Sequence, residues 1–223
     1  MPFIGNKPSA VPLTSADIAD SIITSAKIVD ATIANADIAN STIALAKLSA
    51  TGTASASTFL RGDNSWASAG AAAGQVIQVV STTKTDTFST SSTSFVDVTG
   101  LSVSITPSSA SNKILVIASV YGGNSSQYSF ARLMRDSTAI CVGDANGSNT
   151  RGSFTNFYTA DAANFKGGSQ NFLDSPATTS ATTYKVQMLA GSSTVYLNYG
   201  GEVSSDFSRA RIASSITVME IKG

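Results

Sequence analysis

Histidine is absent from this sequence of 223 residues, and cysteine occurs once, as Cys141. Histidine is the most common general base, proton shuttle and zinc ligand in proteins, so its absence argues against sites of those kinds. A single cysteine cannot form an intramolecular disulfide, which excludes a disulfide-stapled framework within one chain. We expect Cys141 to serve as a small buried hydrophobic side chain.

Charged residues and long apolar runs are also scarce. The 14 basic residues balance the 14 acidic ones, so the sequence has no basic footprint for nucleic acid. No run approaches the roughly 20 apolar residues that cross a bilayer, and we expect no membrane insertion. The N-terminal sequence MPFIGNKPSAVP has neither a basic segment nor a long apolar core, so it is not typical of a signal peptide. We therefore expect synthesis and folding in a cytoplasm.

Small hydroxyl residues are abundant instead. Serine occurs 37 times and threonine 25 times, giving 62 hydroxyl-bearing residues in the chain. Together with the few charges and the many β-branched side chains, this composition predicts an all-β protein.

One large aliphatic residue recurs every five positions near the N-terminus. The row consists of Leu13, Ile18, Ile23, Ile28, Ile33, Ile38, Ile43 and Leu48, and a ten-residue period overlays it. Five residues rotate an α-helix by about 500°, which would scatter the aliphatic side chains around its axis. On a flat strand an odd period would send them to alternating faces. The spacing therefore predicts a chain that turns a corner about once per repeat, as in a solenoid or a multi-chain prism.

This row resembles pentapeptide repeats, with Ala16-Asp17-Ile18 and Ala36-Asp37-Ile38 as the best matches. In that family four pentapeptides form one coil of a single-chain, four-sided β-helix. About seven repeats are fewer than two such coils, whereas solenoids need about three or more stacked units to bury their apolar faces. We therefore favour three identical chains sharing one axis, in a short β-prism or β-helix-like stem. The axis residues would be Ile18, Ile23, Ile28, Ile33, Ile38, Ile43 and Leu48.

A turn-rich segment, GTASASTFLRGDNSWASAGAAAG, follows the repeat at residues 52–74. We expect residues 61–64 to form a tight turn and Phe59, Leu60 and Trp66 to pack the neck of the molecule. The segment resembles the pattern G-T-x-S-x-S-T-F-L-R-G-D-G-T-W that is common in phage tail fibres. Asn64 and Ser65 replace the usual Gly-Thr of that pattern, and the small residues 69–74 predict a hinge.

The first twelve residues carry three prolines around Phe3 and Ile4. Proline interrupts both helices and strand ladders, so this segment is expected to be extended, with the two apolar side chains as an anchor for another protein. A disordered tail is the alternative. The opening MPFIGN resembles the start of structural proteins in marine cyanophages, which favours docking on a virion.

From Gln75 onward, short β segments alternate with Gly, Ser, Asn and Asp turns. We predict ten strands, at residues 76–80, 101–105, 113–121, 127–134, 139–142, 152–158, 170–173, 183–189, 194–199 and 213–221. Their connections are too short for crossover helices, which predicts a two-sheet antiparallel sandwich of jelly-roll type. The last strand is apolar and must be paired centrally to stay ordered. It is similar in this to trimeric jelly rolls of the tumour-necrosis-factor and complement-C1q type, whose last strand lies at the trimer axis.

No nucleophile motif, phosphate loop or cysteine pair is present, so we predict no catalytic residues, no metal site and no cofactor. Glu202 and Asp206 form one conceivable carboxylate pair for glycoside hydrolysis, but the predicted head has no room for the extended β-helix of glycan-cleaving tailspikes. The mixture of aromatic, amide and charged side chains that favours glycan binding is densest at residues 157–166. The receptor-binding candidates are Tyr158, Asp161, Asn164, Phe165 and Lys166, although the favoured interpretation of Phe157 and Phe165 is that they lie in the core. Residues 122–128 are a second candidate loop.

These features predict a homotrimeric phage tail fibre, located in the virion tail and made in the host cytoplasm. Residues 1–12 would be the virion anchor, 13–50 the stem, 51–74 the neck and hinge, and 75–223 the receptor-binding head. The expected partners are another virion tail protein and a host surface glycan or protein, without catalysis and without nucleic acid. The alternatives are a purely structural neck, collar or capsid-decorating fibre, and a polysaccharide depolymerase.

Overall fold

The regular secondary structure of the described residues is nearly all antiparallel β-strand, with 42% strand and 4% helix, which confirms the predicted all-β class. The computed structural model describes residues 14, 16, 18–40, 42–44, 47, 49–125, 128–161, 163–200, 205, 207 and 210–223. The chain divides into two compact units, Met1–Ala69 and Gly70–Gly223. The described part of the first unit consists of turns and one small hairpin, whereas that of the second contains two larger sheets.

The stem segment is a succession of turns with a ten-residue period. Short 3₁₀ turns at Ser25–Lys27 and Asn35–Asp37 alternate with tight turns in which Ser21 and Ala31 have left-handed φ angles of 66° and 61°. Its backbone hydrogen bonds join residues three apart, such as the Lys27 nitrogen to the Thr24 oxygen at 2.9 Å. No strand occurs among the described residues before residue 50, so a single chain does not confirm the β-prism or β-helix-like stem.

The neck segment is a small hairpin of β1 (Thr58–Leu60) and β2 (Trp66–Ser68). The connection between the two strands contains residues 61–64, which were predicted to form a tight turn. The Arg61 nitrogen donates to the oxygen of Ser65, just after this turn, at 2.9 Å. Asn64 has a left-handed φ of 62°, a conformation that asparagine tolerates better than most residues. The Asp63 carboxylate accepts hydrogen bonds from the Ser65 hydroxyl and nitrogen, which lower the pKa of Asp63.

The second unit contains ten strands among its described residues. They are β3 (Val76–Lys84), β4 (Phe88–Thr90), β5 (Val96–Ile105), β6 (Lys113–Gly123), β7 (Ser129–Arg135), β8 (Thr138–Ile140), β9 (Lys166–Asp174), β10 (Thr182–Ala190), β11 (Val195–Leu197) and β12 (Ser214–Ile221). One sheet has the order β5-β10-β7-β8, and the other has the order β3-β12-β6-β11-β4 with β9 also paired to β6. The last strand, β12, lies between β3 and β6, which confirms its predicted central pairing.

The core lies between these two sheets and follows from period-two burial along the strands. Along β6 and β12 the inward positions are fully buried while the intervening positions are only partly covered. Large buried side chains of the core come from the loop residue Phe157 and, in both sheets, from Leu101, Ile105, Ile114, Val116, Leu133, Tyr184, Met188, Leu197, Ile216 and Val218. The alternating sequence pattern thus specifies which face of each sheet meets the core.

Three details of the predicted head were wrong or incomplete. Residues 152–158 were predicted as a strand, but they form a loop. The Ser153 and Phe154 nitrogens both donate to the Ala131 oxygen, and the Phe157 nitrogen donates to the Ser129 oxygen, which is not the pattern of a strand ladder. Phe154 and Phe157 are buried because this loop closes the core, and their aromatic side chains give the segment the composition of a strand. The short strand β4 was not predicted. Cys141, expected to be buried, is half-buried and packs against the edge of the core.

Candidate functional site

The predicted receptor-binding segment forms a loop that runs from the core to the start of β9. Phe157 is fully buried and Phe165 is half-buried, whereas Tyr158, Asp161 and Lys166 are exposed. Asn164 is exposed as well, and its nitrogen donates to the Asp161 oxygen in a turn, at 3.0 Å. The structure therefore leaves four of the five candidate side chains facing solvent and draws Phe165 towards the interior. The second candidate loop lies partly outside the described residues, because residues 126 and 127 are not described.

A second feature of the head, not predicted from the sequence, is an open cleft of about 540 Å³. Phe95, Arg132 and Arg151 line it, together with hydroxyl and amide side chains at residues 93–94 and 149–150 and the apolar side chain of Leu189. These residues come from the segment before β5, from β7 and β10, and from the loop after β8. The fold therefore gathers four separate chain segments around this cleft.

Arg132 is held in place on two sides. Its Nε and Nη2 atoms donate to the Gln187 Oε1 atom at 3.0 and 2.9 Å, because Arg132 and Gln187 are register partners on β7 and β10. Its guanidinium lies over the Phe95 ring, 4.0 Å from the ring centroid. Burial lowers the pKa of Arg132, yet arginine stays charged at any physiological pH. The cleft therefore contains a cation whose orientation is set before any ligand arrives.

The hydrogen bonds of Arg132 continue through Gln187 to the carboxylate of Asp97, which already accepts from two donors. Asp97 accepts from the Lys185 Nζ atom and from the Gln187 Nε2 atom, each at 2.7 Å. The hydrogen bonds from Lys185 and then Gln187 lower the pKa of Asp97. Gln187 thus separates Asp97 from Arg132, with its amide nitrogen facing the acid and its oxygen facing the guanidinium.

The two cleft arginines have no acidic partner among the described residues, whereas three other cations of the head do. Lys84 pairs with Asp86, Arg135 with Asp174 and Lys185 with Asp97 at 2.7 to 2.8 Å. No carboxylate within the described part of the chain lies within 4.0 Å of Arg132 or Arg151. Arg151 instead donates from its Nε atom to the Gly143 oxygen at 2.6 Å, and its side chain is exposed. Two positive charges therefore remain unneutralised at one cleft.

The aliphatic row of the stem is exposed along its described length. The exposed fractions are 39% for Ile18, 54% for Ile23, 40% for Ile28, 55% for Ile33, 38% for Ile38 and 54% for Ile43. They alternate between two levels, in step with the ten-residue period of the turns. Leu48 and the predicted anchor residues Phe3 and Ile4 lie outside the described residues.

The predicted neck residues are also open to solvent in a single chain. Phe59 is 49% exposed and Leu60 is 37% exposed, while Trp66 is half-buried opposite Leu60 on the hairpin. Their packing into a neck therefore stays a prediction.

An apolar row also crosses the outer face of the larger sheet. Val79, Met219, Leu115 and Leu173 are register partners across β3, β12, β6 and β9, so they lie side by side on one face. Val79 and Leu173 are each 55% exposed. Two residues nearer the start of β12, the neighbouring residues on the same face are Ser81, Thr217, Ile117 and Asn171. After two more residues in the same direction, all four positions are Ser or Thr. This face therefore has an apolar half and a hydroxyl-rich half.

Within the described residues, no group of three or more His, Cys, Asp or Glu side chains is placed to hold a metal ion. The carboxylate pair considered for hydrolysis, Glu202 and Asp206, lies outside the described residues. No helix in the described part of the chain has the length and apolarity needed to cross a membrane.

The cleft could not be found by sequence reasoning because its residues are dispersed over nearly a hundred positions. The local signal is a charge at a half-buried position of β7, which Arg132 shares with Arg135 on the same strand, so the signal alone does not point to the cleft. The exposed loop at residues 158–166 was found because its residues are contiguous.

Comparison with known proteins adds no assignment. No protein-family model matches the chain, and no curated protein matches it significantly.

Proposed function

We propose that the protein is a homotrimeric bacteriophage tail fibre that attaches to another virion tail protein through residues 1–12 and binds a host-cell surface glycan through its head. In this proposal residues 13–50 are the stem, 51–74 the neck and hinge, and 75–223 the head. It acts by adhesion, and it requires no catalysis.

The observation that carries this proposal is the exposed aliphatic row of the stem. All six described members, from Ile18 to Ile43, are at least 38% exposed although they recur without a break. A regular apolar row without a partner is costly in water, at about 25 cal/mol for each square ångström left uncovered. Two further copies of the same chain would cover it around a common axis. The resemblance of residues 52–66 to phage tail-fibre necks supports the same assembly.

The strand order of the head supports a jelly-roll-type sandwich. The long strands alternate between the two sheets along the chain, and the paired orders are β3-β12-β6-β9 and β5-β10-β7-β8. Such alternation is what two Greek keys produce when they wrap around one core. The central position of β12 agrees with the resemblance to trimeric jelly rolls.

The apolar half of the larger sheet's outer face supports contacts between copies. A trimeric stem would hold three heads at an effective concentration in the millimolar range, since each head is joined to its stem by a short connection. Under that condition even a modest apolar row, formed by Val79, Leu115, Leu173 and Met219, can pair with another copy. The hydroxyl-rich half would remain in solvent.

Binding to a host glycan would use exposed loops on this rigid scaffold. The loop with Tyr158, Asp161 and Lys166 offers an aromatic ring beside polar groups, and the Arg132 cleft offers hydroxyl, amide and guanidinium groups beside Phe95. Individual sugar sites are weak, and three copies on one fibre would raise the avidity of attachment.

The test uses intact virions that carry this protein. Gold-labelled antibodies raised against residues 75–223 should decorate the distal end of tail fibres, and the same antibodies as monovalent fragments should block adsorption to host cells. Labelling of the head or collar, with adsorption unchanged, would favour the purely structural fibre and overturn the receptor role. Release of reducing sugar from host polysaccharide by the purified chain would favour a depolymerase instead.

A further inference from the structure

We propose that the Arg132 cleft binds the carboxylate of an acidic sugar, such as a uronic acid residue in a surface polysaccharide. This assignment rests on the proposed receptor-binding role of the head and names the class of glycan. It moves the main contact from the loop at residues 158–166 to a cleft lined by residues of β7 and β10.

The first argument is electrostatic. Arg132 and Arg151 line the cleft, no lining residue is acidic, and neither guanidinium has a carboxylate partner among the described residues. Elsewhere in the head, the buried cation Lys84 and the half-buried Arg135 each have an aspartate at 2.7 to 2.8 Å. A partly buried arginine without an acid is costly, so a negatively charged ligand at this place is favoured.

The second argument is the geometry of Arg132. Two of the five N–H donors of a guanidinium are used on Gln187, which leaves three without a partner among the described residues. The group is planar and immobilised by Gln187 and by the Phe95 ring. A fixed planar fork matches the two oxygens of a carboxylate and loses little conformational entropy on binding.

The third argument is the rest of the lining. Ser and Thr hydroxyls at residues 93, 94 and 150 and the Asn149 amide can exchange hydrogen bonds with sugar hydroxyls. Phe95 and Leu189 provide apolar surface for the C–H face of a sugar ring. The volume of about 540 Å³ lies in the roughly 300 to 1,000 Å³ range of small-ligand sites.

The experiment measures binding of tri-galacturonic acid to the full-length protein by calorimetry, with the methyl ester of the same trisaccharide as the uncharged control. We expect binding of the acid, loss of at least about ten-fold in affinity with the ester, and weakening as salt rises. We expect Arg132→Met and Arg151→Met each to lower the affinity by roughly ten-fold. Lys113→Met, which removes an exposed cation at the start of β6, away from both candidate sites, should leave the affinity unchanged.

A folding control keeps this test decisive. Arg132→Met removes contacts with Gln187 and Phe95 and could disturb the sheet, but Arg151 is exposed and makes one described hydrogen bond, so Arg151→Met should fold normally. In the unmutated protein, the ¹⁵N-labelled Nε resonances of Arg132 and Arg151 should shift on adding the acid, while that of the paired Arg135 should not.

Three results would overturn the assignment. They are equal binding of acid and ester, equal loss with Lys113→Met, or inorganic phosphate bound as tightly as the galacturonate. Absence of galacturonate binding with antibody-blocked adsorption would refute this ligand class and leave the receptor role standing. Galacturonate binding by a protein labelled on the virion head would support the cleft and refute the tail-fibre proposal.

Discussion

Glu220 is the most deeply buried acid of the described head, at 1% exposure, and it organises the turn between β5 and β6. Its Oε1 atom accepts hydrogen bonds from the Ser108 nitrogen at 2.6 Å, the Ser108 hydroxyl at 2.8 Å and the Asn112 Nδ2 atom at 2.6 Å. Burial opposes ionisation, but the hydrogen bonds from Asn112 and Ser108 outweigh it and lower the pKa of Glu220. The charged form is therefore the one that the fold stabilises.

Replacing Glu220 with glutamine should destabilise the head. Glu220→Gln removes the negative charge that the three donors of Ser108 and Asn112 stabilise. If the new amide turned its nitrogen towards these donors, those hydrogen bonds would be lost. We therefore expect a loss of about 1–3 kcal/mol in the free energy of unfolding. Urea denaturation would measure it. The control is Asp144→Asn in an exposed loop, which should stay within about 0.5 kcal/mol of the unmutated protein. Equal effects of the two changes would contradict the role given to Glu220.

The lowered pKa of Glu220 also predicts how stability depends on pH. Its contribution is fully present above the ordinary glutamate value of 4.5 and is lost as the pH falls through the lower folded-state pKa. Between pH 5 and roughly pH 3, the unmutated protein should therefore lose more unfolding free energy than Glu220→Gln does. Asp97 also has a lowered pKa, but it is exposed and screened, so it should add little. Parallel pH profiles for the two proteins would refute this prediction.

At the scale of the element, the stem row has an alternation that the five-residue period alone does not contain. Exposure is 38–40% at Ile18, Ile28 and Ile38 and 54–55% at Ile23, Ile33 and Ile43. The alternation follows the ten-residue spacing of the 3₁₀ turns at Ser25–Lys27 and Asn35–Asp37. Odd and even members of the row therefore have different surroundings, and a shared axis would contain two kinds of layer.

Charging the row should weaken the trimer far more than charging its neighbours. We expect Ile33→Asp to raise the dissociation constant of the trimer by well over ten-fold, because a carboxylate at a closed apolar axis has no partner. Val29→Asp is the matched control, since Val29 is 73% exposed and lies off the row. Sedimentation equilibrium measures both, and similar dissociation constants would show that the row does not face inward.

The apolar half of the larger sheet makes a parallel prediction for the head. Leu173→Asp should lower the temperature at which the full-length trimer dissociates, because it places a charge in the Val79-Met219-Leu115-Leu173 row. Asn171→Asp adds the same charge to the same face of β9, two residues away in the polar half, and should have little effect. A thermal shift of equal size in both variants would argue against contacts between heads on this face.

Elements were more predictable from sequence than sites. The alternating or continuous apolar patterns of β6 and β12 identified both strands, and the apolar chain end indicated the central place of β12. Residues 152–158 were misassigned because aromatic and β-branched residues, which are enriched in strands, here lie in a loop whose Phe154 and Phe157 plug the core. The Arg132 cleft was missed because its chemistry arises from the register of Arg132 with Gln187, and sequence spacing contains no register between distant strands.

At the scale of the whole molecule, the two units perform different tasks in the proposed fibre. The first unit has an apolar row without a partner in one chain, while the second has a closed core between two sheets. In this proposal, assembly covers the exposed row of the stem and is compatible with the head. A trimer would also triplicate the Arg132 cleft, which suits adhesion to a repeating polysaccharide.

Sedimentation equilibrium of the unmutated, full-length protein at micromolar concentration tests this account most directly. Trimer formation predicts a single species of three times the 22.7 kDa chain mass, about 68 kDa. The mass should hold over a ten-fold dilution, since an axis formed by six or more aliphatic residues from each chain buries a large apolar area. A species of 22.7 kDa would contradict the account, because the exposed row from Ile18 to Ile43 would then have no partner to explain it.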